Sequence, residues 1–336
     1  MLLRKRLAID LGTANTLVWT PEAGIVTNEP TVVAVAAETN KVVAVGSEAK
    51  KMLGRTPENL IAMRPMREGV IADYQVTKAM LAYFISKVSG RAILFKPDVM
   101  ICVPAGCTQV ERRAALDATL GAGAGHAYLI DEPLAAAIGA GIPVSAPSGN
   151  MILDMGGGAA EAAVLSLGGV VVHKSVRVAG NKIDESIQSY LKKKYNLIVG
   201  DQTAEDIKIK IGSATPLVKE ERMEVSGRDL VFGLPKSVTI TSSDVTEAIA
   251  STLSQIIGAV KSVLEDTPPE LAADIIDKGI VMSGGTALLR NFDKLMTEET
   301  GVPAHVAEDA LYCVVKGTGI VMENIELWKR SVTTKR

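Results

Sequence analysis

With 336 residues, the chain is long enough for about two domains of roughly 150 residues each. Hydrophobic residues make up 47%, 36 basic side chains nearly balance 38 acidic ones, and aromatics are only 4%. This composition excludes a disordered or collagen-like chain, and it lacks the basic charge and stacking rings of a dedicated nucleic-acid binder.

The charged N-terminus (residues 1–6) has no apolar stretch behind it, so it does not read as a secretory signal. Leu7-Ala8-Ile9 is apolar, stops at Asp10-Leu11-Gly12-Thr13-Ala14-Asn15-Thr16, and is followed at once by Leu17-Val18-Trp19. Two strands joined by a tight glycine-bearing turn are expected there. Further on, Arg91-Ala92-Ile93-Leu94-Phe95-Lys96 sets the apolar triad Ile93-Leu94-Phe95 between cations and, from the residues alone, reads as the start of a strand.

Helical spacing of apolar residues predicts helices over 109–120, 134–139, 182–195, 204–211 and 243–266, the last stopped by Pro268-Pro269. The run 134–144 is short of a membrane span, so a soluble protein is expected. Cys102, Cys107 and Cys313 are too few and scattered for a disulfide framework or a tetrahedral zinc site, and read as reduced thiols of an intracellular protein. Residues 331–336 read as a loose tail.

The strand–Asp–glycine-turn–strand pattern recurs at Met151-Ile152-Leu153, Asp154-Met155-Gly156-Gly157-Gly158-Ala159-Ala160-Glu161 and Ala162-Ala163-Val164-Leu165. Asp10 and Asp154 lie 144 residues apart, about one domain length, which predicts two duplicated α/β domains whose hairpin turns face one cleft. A third glycine turn, Ser283-Gly284-Gly285-Thr286, follows the strand-like Gly279-Ile280-Val281-Met282.

Glycine lets backbone N–H groups approach and converge on phosphate oxygens, so three such turns on one cleft suit a phosphate chain. Asp10 and Asp154 at the strand ends suit Mg2+ held partly through its own waters, or each caps its own turn.

The first hairpin resembles the first phosphate loop of the actin, DnaK-type chaperone and sugar-kinase superfamily. Within it the chain is most similar to the bacterial actin (MreB) family. The likeness is carried by Gly24-Ile25-Val26-Thr27-Asn28-Glu29-Pro30, Gly54-Arg55-Thr56-Pro57, Arg64-Pro65-Met66-Arg67-Glu68-Gly69-Val70-Ile71-Ala72-Asp73 and Thr267-Pro268-Pro269-Glu270-Leu271-Ala272.

The resemblance implies an actin-like ATPase fold: two duplicated RNase H-like domains around a nucleotide cleft, each with a smaller subdomain. Domain I would hold residues 1–145 and 310–336 (subdomain IB about 33–70), and domain II residues 146–309 (subdomain IIB about 181–243). It implies ATP and Mg2+ as cofactors. Thr13, Ala14, Asn15, Gly156, Gly157, Gly158 and Ala159 would line the phosphates, Glu205 and Lys208 would hold ribose and adenine, and Gly284, Gly285, Thr286 and Ala287 would close over the nucleotide. Asp10 and Asp154 would serve the metal, and Glu132 would position the hydrolytic water.

Read from the residues alone, Glu205 and Lys208 would be an exposed helix-face ion pair, and Glu132 an acid complementing a helix N-terminus. By the same resemblance Ile93, Leu94 and Phe95 would enter the anionic inner face of the cytoplasmic membrane, with Leu2, Leu3 and the cations at 4–6 beside them. The partners implied are further copies of the chain in filaments and the membrane proteins of cell-wall morphogenesis, with a role in maintaining rod shape.

The chain departs from the family pattern Gly-Gly-Gly-Thr-Thr-Glu at Ala159 and Ala160, has Asn181 where Asp is usual, and has Thr286 for a third glycine. Alanine cannot replace the hydrogen bonds of a threonine hydroxyl that helps hold the water, so hydrolysis is expected to be slow. The rival readings are a non-hydrolysing filament or scaffold subunit, a small-molecule kinase of the same superfamily, and a chaperone nucleotide domain.

Overall fold

The computed structural model describes residues 4–39, 41–90 and 95–335. Two large sheets organise it. The first runs Thr333–Lys335, His126–Asp131, Asp98–Val103, Arg6–Leu11, Asn15–Thr20, Gly24–Pro30, and the second Gly169–Val176, Ala160–Ser166, Asn150–Met155, Ile280–Ser283, Ala304–Val306.

In each sheet the strand carrying the aspartate turns back through glycine into an antiparallel partner, a third antiparallel strand follows, and two parallel strands extend the other side. The second sheet therefore repeats the first, as the paired hairpins predict. The first adds one edge strand.

That edge strand corrects an expectation. Residues 331–336 are not a loose tail: Thr333–Lys335 pairs antiparallel with His126–Asp131. Lys335 Nζ lies 2.5 Å from Asp117 Oδ1, and the Ser331 hydroxyl donates to the Gly168 carbonyl at 2.8 Å. The partners are more than 150 residues away in sequence, so local composition does not signal the pairing.

The sheets are layered with helices, and side-chain alternation assigns the faces. Along Asp98–Val103, Val99, Ile101 and Val103 join Met80, Leu81, Phe84 and Leu116 of the helices Tyr74–Ser89 and Gln109–Gly121 on the outer face. Met100 and Cys102 point the other way, into a central layer with Ile152 and Leu165 of the second sheet and the helices Glu132–Gly139 and Cys313–Glu323. The outer face of the second sheet is covered by Gly180–Tyr195, Asp201–Ile211 and Ser242–Asp266.

The ends of these helices follow local chemistry. Reciprocal Thr–acid capping boxes start two of them, at Thr108/Glu111 and Thr241/Asp244. The long helix ends at Asp266, and Pro269 opens the next one, Pro269–Lys278.

The two central helices cross with their backbones in contact. A Cβ on Gly139 would lie 1.8 Å from the Cys313 carbonyl oxygen, and one on Gly317 1.8 Å from that of Ala135. Only glycine allows so thin a layer, and thinness is what brings the ends of the two sheets together.

A small sheet of Val33–Ala36, Val42–Val45 and Leu60–Met63, with the helix Ser47–Met52, rises on one side of the cleft. A second, of Leu197–Ile198, Arg222–Asp229 and Pro235–Thr241, rises on the other. Among the described residues no helix is long and apolar enough to cross a membrane. Of the apolar triad, Ile93 and Leu94 lie outside the described residues; Phe95 is exposed and the following strand begins at Asp98.

Candidate functional site

The alternation that builds the layers also gathers acids. Leu7, Ile9 and Leu11 face outward, so Asp10 faces the central layer; Asp154 and Glu161, cross-strand partners in the second hairpin, face it from the other sheet. Glu132 opens the central helix Glu132–Gly139, with Pro133 in its first turn. Four carboxylates thus meet where the strands end.

Burial raises all of them. Asp10 is pushed up to about 7 by desolvation and then by the neighbouring Asp154 charge, against the Cys102 thiol, which donates to Oδ1 at 3.4 Å. Asp154 rises to about 6 by burial although the Ser283 hydroxyl donates to its Oδ1 at 2.7 Å. Glu161 rises to about 7 through burial, against the Ala105 N–H and the Ser175 hydroxyl. Glu132 is held well above the usual carboxylate range by desolvation and then by the charges of Glu161, Asp10 and Asp154.

A stability dependence on pH follows. These acids titrate near 4 in the unfolded chain and at about 6 to 7 in the native one, so the native state binds more protons between those values. Their stabilising contribution is complete below the unfolded pKa values and is lost as pH rises through the native ones. The nucleotide-free, metal-free protein is therefore expected to melt at higher temperature at pH 5 than at pH 8. A Tm that rises across that interval in thermal scans would contradict the carboxylate assignment.

The three glycine turns converge above the acids. A Cβ on Gly157 would stand 2.7 Å from the Ala14 Cβ, and one on Gly158 2.5 Å from Thr13 Oγ1, so the two hairpin turns touch. Thr13 is buried and its hydroxyl accepts from the Gly69 N–H at 2.9 Å; Ala14 and Asn15 are half-buried beside it. The Thr286 hydroxyl donates to the Gly156 carbonyl at 2.7 Å, hooking the third turn onto the second. Gly284 has φ +83°, and a Cβ there would lie 2.2 Å from the Met155 oxygen. Gly285 begins a short 3-10 turn with Thr286 and Ala287, both buried. Ala159 stays half-open to the cleft, whereas Ala160 is fully buried in the outer core.

The helix Gly180–Tyr195 starts at the same place, Gly180 and Asn181 donating their N–H groups to the Gly156 and Gly157 carbonyls. Glu205 and Lys208 share the helix Asp201–Ile211 but do not pair with each other, which corrects the simple ion-pair reading. Lys208 Nζ lies 2.8 Å from Asp184 Oδ1 and donates to the Gly180 carbonyl at 3.2 Å, whereas Glu205 pairs at 3.1 Å with Lys50. That pair spans the cleft between the two small sheets. Gln202 reinforces it on the Lys50 carbonyl at 3.2 Å, and Arg177 to Glu68 makes a second crossing at 2.9 Å.

Three residues that sequence reasoning did not single out belong to the site: Glu161, Cys102 and Arg112. Arg112 Nη2 donates to Asp131 Oδ1 at 2.5 Å and to the Ala105 carbonyl at 3.3 Å. The acid ending the second glycine motif is a visible sign of Glu161; Cys102 and Arg112 carry none, because their contacts join distant segments.

Among the described residues no three His, Cys, Asp or Glu side chains gather to hold a metal by themselves. Two hard carboxylates below turns suited to phosphate fit magnesium, which keeps waters and shares ligands with phosphate oxygens. So dense a group of like charges also needs a cation beside it when ionised.

The sequence profile described as "MreB/Mbl protein" matches residues 4–330. The chain is 51% identical over 326 residues to the cell shape-determining protein MreB of Escherichia coli, covering 96% of this chain and 94% of the relative. It is 48% identical over 320 residues to the cell shape-determining protein Mbl of Bacillus cereus, covering 95% and 96%. The solved structure of Spiroplasma citri MreB5 bound to AMPPNP superposes with TM-score 0.93 at 37% identity, over 98% of this chain and 99% of that one. Its ADP-bound form gives TM-score 0.91 at 38% identity, over 96% and 98%. The architecture is the actin-like one.

Proposed function

The chain belongs to the MreB/Mbl family, and we propose that it is an ATP-binding bacterial actin that forms filaments beneath the cytoplasmic membrane and organises cell-wall synthesis to maintain rod shape. The observation that carries this reading is the meeting of three glycine turns over four buried carboxylates, in a fold shared with an AMPPNP-bound relative.

In this reading the backbone N–H groups of residues 13–15 and 156–159 hold the β- and γ-phosphates, and the turn 284–287 covers the nucleotide. Lys208 and Glu205 contact base and ribose, with Glu205 exchanging Lys50 for the ribose hydroxyls. Asp10 and Asp154 hold Mg2+, partly through waters; the ion supplies charge neutralisation of the phosphates. Glu132 orients water for in-line attack on the γ-phosphate. Domain I takes residues 1–145 and 310–336, and domain II residues 146–309.

Ala159 presents no hydroxyl to the water, so turnover is slow. The same residue favours, as a second reading, a subunit that assembles without hydrolysis.

Head-to-tail assembly has a physical basis in the second domain. Its three-stranded sheet ends in a loop with Leu230, Val231, Phe232 and Leu234 exposed, some 16 helical residues (about 24 Å) beyond the cleft along Gly180–Tyr195. At the other end of the domain, past the strand Ala160–Ser166, Leu167 and Ile276 are exposed. Unlike apolar faces at opposite poles repeat into open filaments when the rotation does not close. Such a filament multiplies weak membrane contacts made by Leu94 and Phe95.

Co-sedimentation with anionic liposomes tests this reading. The wild type is expected to pellet with vesicles in Mg-ATP, and Leu94→Ser with Phe95→Ser to leave the vesicles while still polymerising. Unchanged vesicle binding by the double variant would remove these two residues from the account.

A further inference from the structure

The hydrolytic reading gives the attacking water to one carboxylate, Glu132. Glu161 offers a second. It is only 2% exposed; Oε2 accepts from the Ala105 N–H at 3.1 Å, the Ser175 hydroxyl lies beside the carboxylate, and Oε1 is buried with no partner at hydrogen-bond distance among the described residues. Its neighbours are Asp154 across the strand pair, Ser175 on the next strand, and the Asp131–Glu132 strand end.

A buried carboxylate with an unpaired oxygen is destabilising, and a core seldom keeps one without a use. One guanidinium ties both acids in place. Arg112 holds Asp131, which precedes Glu132, and the carbonyl of Ala105, whose own N–H holds Glu161. Ala159, the one of the two alanines left half-open, presents no hydroxyl to share the water, which leaves the carboxylates as its side-chain acceptors there.

We propose that Glu161 is a second catalytic carboxylate that holds the attacking water jointly with Glu132, with Arg112 as the positioning residue that keeps the two acids in register. This rests on the hydrolytic reading above. Two acceptors restrain a water that one would let swing, which favours the in-line geometry. The water oxygen forms the new bond to Pγ, and the bond from Pγ to the β–γ bridging oxygen breaks with its electron pair leaving on ADP. One water proton passes to the Glu132–Glu161 pair and the other stays on the phosphate.

The test compares wild type, Glu161→Gln, Glu161→Asp, Arg112→Gln and the double variant Glu161→Gln with Arg112→Gln. Acid-quenched single turnovers of Mg-ATP, fluorescent-nucleotide affinity and Tm are measured for each. Glu161→Gln is expected to slow phosphate formation about tenfold or more, with affinity within about twofold of wild type. Its Tm should rise, because a buried charge is gone. Arg112→Gln should slow the step too, and the double variant should be little slower than the slower single one, since the residues act as a unit. Glu161→Asp, which keeps the charge on a shorter stem, should recover part of the rate.

A merely structural Glu161 predicts the opposite pattern: Tm, affinity and rate falling together. A hydrolysing wild type with an equally fast Glu161→Gln overturns this proposal alone. A wild type that forms no phosphate overturns the hydrolytic reading as well.

Discussion

Glu132→Gln is expected to cut ATP hydrolysis by about 10²-fold or more, leaving nucleotide affinity within about twofold, because positioned acid–base groups contribute on that scale. Glu132 heads the central helix at the strand ends, beside the two aspartates rather than among the glycine turns that would hold the phosphates. Its removal therefore spares the binding contacts. It also relieves crowding among four carboxylates, so the variant should melt at a higher temperature than wild type. Loss of affinity in step with rate would place Glu132 in binding instead. An undiminished rate would remove it from the chemistry.

The largest effect on stability is expected from Gly317→Ala. The new methyl would stand 1.8 Å from the Ala135 oxygen, a backbone atom that cannot turn aside, so the central helices must separate. Overpacking against a rigid backbone costs about 3 kcal/mol or more, read in a chain of 336 residues as a Tm fall of roughly 4 °C or more. The helix pushed aside is the one that begins at Glu132, so hydrolysis should fall as well. Gly258→Ala, on the long helix with nothing within 4 Å of the added Cβ, is the control and should leave Tm unchanged or higher. Equal melting of the two variants would contradict the close crossing.

Much of this architecture is legible in short stretches of the chain. Each aspartate sits between an apolar strand and a glycine turn, and that local grammar places Asp10, Asp154 and the turns at 12–16 and 156–159. The period of apolar residues places the helices at 109–121 and 242–266 to within a residue or two.

What local pattern hides is long-range. Glu161 is visible as the acid that ends the second glycine motif, but its place in the site comes only from the alternation that sets it on the central face opposite Asp154. Arg112 looks like an exposed helix charge, yet it bridges Ala105 and Asp131. Lys50 and Glu205, 155 residues apart, meet only because two small sheets rise on opposite sides of one cleft. Thr333–Lys335 is too short and polar to announce a strand; the exposed edge of His126–Asp131 supplies the reason for it.

The central claim is that the cleft binds Mg-ATP and that this drives assembly. It is tested most directly by high-speed pelleting of the purified protein with Mg-ATP, ADP or no nucleotide, with released phosphate assayed in the same tubes. Pelleting in Mg-ATP that is weaker in ADP and absent without nucleotide, accompanied by slow phosphate release, is the predicted result. Protein that stays in the supernatant under all three conditions would contradict the account.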